Sequence, residues 1–150
     1  GILATASTLQ SSRYAELLRR FGQFARVLGQ PARGLVECVE AGDLDGPRTR
    51  ELLARHLGPL LEAGADTIVL GCTHYPWVAE AIARRMPAGT VLLDTGEPVA
   101  RQLERLLAAG NILGGGQGRL TVGTSGAPAS VAATVNRLFG QKLKIEHWEP

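Results

Sequence analysis

Residues 71–76 read Gly-Cys-Thr-His-Tyr-Pro and follow directly on the apolar run Thr67-Ile68-Val69-Leu70. A buried strand that stops on a thiol and an imidazole two positions apart leaves four roles open for Cys72. It can pack in the core, ligate a metal, attack a carbonyl or take a proton from carbon. The context speaks for chemistry: a strand end, a helix opened by Pro76, and His74 as a neighbour for the thiol. Metal ligation is disfavoured by count. Two cysteines (Cys38, Cys72) and three histidines (His56, His74, His147) form no C-x-x-C and no H-x-x-x-H spacing, whereas structural zinc takes four such ligands. Nucleophilic attack with His74 as base is disfavoured because positions i and i+2 of an extended segment rarely face each other. Cys38, between Glu37 and Val39, reads as an ordinary buried thiol. His56 falls mid-helix as a half-buried surface residue, and His147, beside Trp148, packs or edges the last strand.

Two further polar clusters stand in comparable places. Thr5, Ser7 and Thr8 follow the run Ile2-Leu3-Ala4, and Glu40 follows Gly34-Leu35-Val36-Glu37-Cys38-Val39. Glu40 has a plain alternative role, capping the loop that follows it. In open parallel sheets, ligands bind beyond the carboxyl ends of the strands. If all three runs are parallel strands, one sheet edge gathers hydroxyls, a carboxylate, a thiol and an imidazole beside helix N-termini. That edge suits a small anionic ligand.

The elements that must do this positioning alternate along the chain. A first strand covers residues 2–6. A helix runs from Ser12 to about Leu28, with Tyr14, Leu17, Leu18 and Phe21 at helical spacing. Residues 34–39 form a short strand or turn, and residues 41–47 a loop. Pro47 opens a helix reaching about Ala63, with Leu52, Leu53, His56, Leu57, Leu60 and Leu61 on one face and Gly64 ending it. Residues 66–71 are a strand, followed by a helix from Pro76 to about Met86. Residues 90–94 are a strand and Glu97–Ala109 a helix. A glycine-rich break covers 110–118. It lacks the Lys-Ser/Thr of a phosphate loop, so it reads as a linker. Strand 120–126, helix Pro128–Phe139 and strand 143–149 close the chain. This alternation predicts an α/β fold with a parallel sheet flanked by helices.

Composition excludes little else. The chain has 150 residues, 45% hydrophobic and 20% charged, with a formal net charge of +2, as for an ordinary globular protein. Its arginines are spread along helices rather than interleaved with aromatics, so nucleic acid is not an expected partner. No apolar run is long enough for a membrane span, and a cytoplasmic location is the default expectation. The chain opens inside a strand and without Met, which suggests a piece of a longer protein.

The segments around these residues resemble the glutamate racemase family. "GADTIVLGCTHYP" is similar to its second catalytic-cysteine motif, and "ATASTLQSSRY" to the Thr-x-x-Thr segment that opens its second lobe. "GLVECVEAGDLDG", "LLDTGEPVARQL" and "VGTSG" resemble its Leu-Val-Glu, Asp-Thr-Gly and Thr-Ser-Gly segments, in the same order. Ser7 departs from a usual glycine, and the family's first-lobe Asp-Ser and Cys-Asn-Thr segments do not occur. The resemblance implies two α/β lobes with the active site between them and no cofactor or metal. This chain then corresponds to the second lobe (1–94) and a return segment (95–150) completing a largely missing first lobe. Carried over by motif, Cys72 is the second-lobe acid/base, with His74 and Glu40 supporting it. Thr73, Thr5 and Thr8 bind the substrate. Expected partners are glutamate, the missing N-terminal lobe and a second copy in a homodimer. The isolated chain is expected to be inactive, with a tail short of core partners. A related aspartate racemase, a one-cysteine relative and an inactive dicarboxylate-binding fragment are the alternatives.

Overall fold

The computed structural model describes residues 1–149. Four short strands, β1 (Ile2–Ala4), β2 (Gly29–Pro31), β3 (Thr67–Leu70) and β4 (Val91–Leu93), form one sheet in the order β2-β1-β3-β4. Every pairing in it is parallel, with Ile2 opposite both Gly29 and Val69. Helices α1 (Ala6–Leu9), α2 (Ser12–Phe21), α3 (Leu35–Ala41), α4 (Pro47–Glu62) and α5 (Ala79–Ala83) connect them. Helix α6 (Gly96–Ala109) leads into β5 (Val122–Thr124), α7 (Pro128–Phe139) and β6 (Ile145–His147), where β5 and β6 make a separate parallel pair. The α/β class and the parallel sheet flanked by helices are as the sequence indicates.

The core lies between the sheet and α3, α4 and the turn after β3. Leu3, Leu35, Val39, Leu53, Ile68, Tyr75 and Ile82 are all completely buried. Each such aliphatic side chain contributes about 1.5–3 kcal/mol by leaving water. Helix α4 presents Leu53, His56, Leu57 and Leu60 inward, the three- and four-residue spacing of an amphipathic helix.

Three expectations are corrected. The run 34–39 is not a strand but the start of α3, since Leu35, Cys38 and Val39 are buried at helical spacing between left-handed Gly34 and Gly42. The strand that precedes it is β2, a Gly-Gln-Pro stretch just beyond residues 12–28, whose pattern reads as one helix; that helix stops at Phe21. His56 is not a half-buried surface residue: it is 6% exposed. Its Nε2–H donates to the Arg33 carbonyl at 2.9 Å, and its Nδ1 faces the Gln30 amide at 3.5 Å. The carbonyl can only accept, so Nε2 carries the hydrogen. His56 thereby pins the β2–α3 connection to α4.

Beyond β4 the chain is less covered. No residue of α6 or α7 is buried, and Val99, Leu103 and Leu106 of α6 are 55–64% exposed. Helix α7 is tied back to the main sheet layer by Leu138 against the core and Phe139 edge-on to Trp77, with ring centroids 5.3 Å apart. Among the described residues, no helix is long and apolar enough to cross a membrane.

Candidate active site

Parallel register does the first positioning. Leu3 lies opposite Leu70, so Thr5 and Cys72 leave neighbouring strands at nearly the same level. The strands approach closely there. The Gly71 amide donates to the Leu3 carbonyl at 2.8 Å, and a side chain on Gly71 would stand 3.0 Å from the Ala4 Cβ. Only glycine fits without a shift.

After Gly71 the chain turns rather than continuing extended. His74 is in the right-handed helical region, at φ −80° and ψ −27°. This bend brings Cys72 Sγ to 3.9 Å from His74 Nδ1. The expectation that Cys72 and His74 would fail to face each other is therefore wrong, because it assumed a strand where the backbone already curls into a turn. His74 Nε2 in turn lies 3.3 Å from Glu40 Oε1. An ionised carboxylate only accepts, so Nε2–H donates to Glu40 and leaves Nδ1 to accept from the Cys72 thiol. A thiol, an imidazole and a carboxylate thus stand in line. Glu40 is not at a strand end: it sits in the last turn of α3 and reaches the sheet edge with its side chain.

On the β1 side, Thr5 caps α1 by accepting from the Thr8 amide at 3.2 Å. Its hydroxyl also meets those of Thr8 at 2.8 Å and Ser7 at 3.1 Å. Beside it a cleft of about 250 Å³ is lined by Thr5, Ala6, Ala32, Arg33, Gly34, Val36 and Glu37. Thr73 is exposed in the turn between Cys72 and His74. Cys38 is buried and Cys72 half-buried, and both are free thiols. His147 lies on strand β6, with its Nδ1 3.2 Å from the Gly126 carbonyl, and has no part in this cluster. Among the described residues, no group of three or more His, Cys, Asp or Glu is placed to hold a metal ion.

Tyr75 was not singled out from the sequence, yet it anchors the turn. It is completely buried, and its hydroxyl donates to the Ala32 carbonyl at 3.3 Å. Burial, and secondarily the charges of Cys72 and Glu37, push its phenol well above the usual range. It stays neutral beside the thiol and ties the Cys72 turn to the β2–α3 connection. Its place directly after the Cys-Thr-His cluster was the available signal.

The glutamate racemase of Pseudomonas entomophila is 47% identical over 147 residues, 97% of this chain and 56% of that protein. The Pseudomonas aeruginosa glutamate racemase is 56% identical over 117 residues, 78% of this chain and 44% of that protein. The solved glutamate racemase of Bacillus anthracis superposes with a TM-score of 0.89 at 24% identity, covering 99% of this chain and 56% of that one. The Thermus thermophilus glutamate racemase, solved with beta-chloro-D-alanine, superposes with a TM-score of 0.82 at 27% identity, covering 97% of this chain and 54% of that one. The chain spans about half the length of the relatives it matches. The family model described as Asp/Glu/Hydantoin racemase matches residues 1–103, and the chain belongs to that family.

Proposed function

We propose that this chain supplies one half of the active site of a glutamate racemase that needs no cofactor. The observation that carries this reading is the line from Cys72 through His74 to Glu40 at one sheet edge, level with the Thr5–Thr8 hydroxyls. Racemisation removes the Cα hydrogen as a proton and returns one to the opposite face. Cys72 acts as base on one face when thiolate, and as acid when the substrate of opposite hand is bound. A second cysteine, from the lobe that the longer relatives carry, works on the other face. In this reading Cys72 serves L-glutamate. Glu40 holds the His74 ring so that its Nδ1 receives and returns the thiol proton. Donors aimed at the α-carboxylate stabilise the developing carbanion, and Thr5, Thr8 and the Thr73 turn are the candidates. Residues 1–94 form the second lobe and 95–150 return to the first, a division supported by the uncovered apolar stripe of α6. The product is D-glutamate for peptidoglycan precursors, made in the cytoplasm.

The same line of groups also fits a cysteine hydrolase, with His74 as base to a nucleophilic Cys72. Family membership favours the racemase, and one experiment separates the two. The chain is mixed with a separately prepared N-terminal half of the Pseudomonas entomophila racemase, with that enzyme's own two halves as control. Circular dichroism of L-glutamate is followed in deuterium oxide. Loss of optical activity with deuterium entering Cα is the expected result. The chain alone should do neither. No exchange in the mixture, while the control pair is active, would refute the racemase reading.

A further inference from the structure

Helix α7 grips the Cys72–His74–Glu40 line at two points without contributing a residue to it. At one point Arg137 Nη1–H donates to the main-chain carbonyl of Glu40 at 2.9 Å. That carbonyl belongs to the last turn of α3, where helical carbonyls lack intrahelical donors and a cation is favourably placed. The Arg137 side chain also lies against Gly42, in the space a Cβ would take. At the other point Phe139 packs edge-on against Trp77, whose amide donates to the His74 carbonyl at 3.3 Å. Leu138, between them, packs against the core. One short run of α7 therefore touches the backbone that carries Glu40 and the turn that carries His74.

We propose that α7 is a brace that sets the separation of Glu40 and His74, with Arg137 as a positioning residue acting through the Glu40 main chain. The need for a brace follows from the pair itself. The Glu40 side chain is 53% exposed and that of His74 32% exposed, and an exposed pair gains too little to hold a flexible side chain in one geometry. Helix α3 has only seven residues, and helix ends fray. Fixing the Glu40 carbonyl in its last turn removes that freedom at the residue whose side chain orients the imidazole. The consequence for turnover rests on the racemase reading, whereas the geometry does not.

The test uses the full 150-residue chain and imidazole nitrogen-15 NMR. Arg137 is exposed, so Arg137→Met leaves the core intact. Its His74 ring resonances should move towards those of a Glu40→Ala reference. The His56 ring, held by Arg33 and Gln30, should not change. Arg137→Lys should restore most of the original spectrum, and Phe139→Leu, which loosens the other contact, should shift His74 in the same direction as Arg137→Met. An unchanged His74 ring in Arg137→Met overturns the brace. In the mixture with the N-terminal half, Arg137→Met should lower kcat roughly tenfold to a hundredfold with KM held within about twofold. A raised KM at unchanged kcat would also overturn it. If the unsubstituted mixture fails to turn over glutamate, the racemase reading falls, and the ring spectra alone decide the brace.

Discussion

Replacing Tyr75 by Phe separates two effects that one buried hydroxyl combines. At neutral pH the substitution removes the hydrogen bond to the Ala32 carbonyl. That carbonyl keeps the Leu35 amide at 3.4 Å, so it is not orphaned, and the loss should be about 1 kcal/mol. In alkali the sign reverses. The unfolded chain releases the phenolic proton near pH 10, while the folded chain holds it to well above that value because burial disfavours the phenolate. Between those two pH values the unfolded state binds fewer protons, so stability falls as pH rises, by about 1.4 kcal/mol per unit. Tyr75→Phe has no such proton to lose. The variant should be the less stable protein at pH 8 and equal to the parent between about pH 10.5 and 11. Above that it should be the more stable of the two. Tyr14 is present in both proteins and cancels in the comparison. Urea unfolding at half-unit steps from pH 8 to 11.5 provides the assay. A difference in stability that stays constant across that range would refute the buried, neutral phenol.

Cys72→Ala should abolish racemisation and Cα deuterium exchange in the mixture with the N-terminal half, whereas Cys38→Ala should keep most of both, measured by the same dichroism and exchange assay. Leu53→Ala, at a completely buried position of α4, should cost about 2–5 kcal/mol in urea unfolding, as core truncations of this kind do. Gly42→Ala meets two obstacles, a φ of +78° and the Arg137 side chain. It should lose about 1–2 kcal/mol and move the His74 ring resonances as Arg137→Met does.

The parts of the fold that were legible in the sequence are those where burial and local preference agree. Strand β3 is a continuous apolar run, and α4 has a periodic face between Pro47 and Gly64. The misread parts are those where the two conflict. Strand β2 is three residues of Gly-Gln-Pro with no apolar pattern, and it exists because β1 offers it a parallel edge. Helix α3 reads as a strand because Leu-Val-Glu-Cys-Val is dense in apolar and β-branched residues. Its flanking left-handed glycines, not its propensity, fix the helix. The clustering of Thr5, Cys72 and His74 followed from topology, whereas Glu40 reaches the same edge from the last turn of α3 and not from a strand end. The facing of Cys72 and His74 did not, because it depends on a turn that begins one residue earlier than the strand pattern suggests. Arg137 carries no local signal, since it meets Glu40 only after 97 residues of chain.

The order of the main sheet sets a schedule for its assembly on the ribosome. Strand β1, an inner strand of the sheet, is made first, yet its partner β3 lies about as far along the chain as the 66 residues that separate Gly1 from Thr67. At roughly 5–20 residues per second, that interval is about 3–13 seconds. Throughout it β1 has β2 but not β3 as a sheet neighbour, so the Gly1 and Leu3 carbonyls that later accept from Val69 and Gly71 stand open, and Leu3 and Ala4, which end fully buried, are less covered. The nascent chain therefore passes through a defined window in which an inner strand is half-paired, and slow codons between α4 and β3 would lengthen its exposure to aggregation without altering the finished protein.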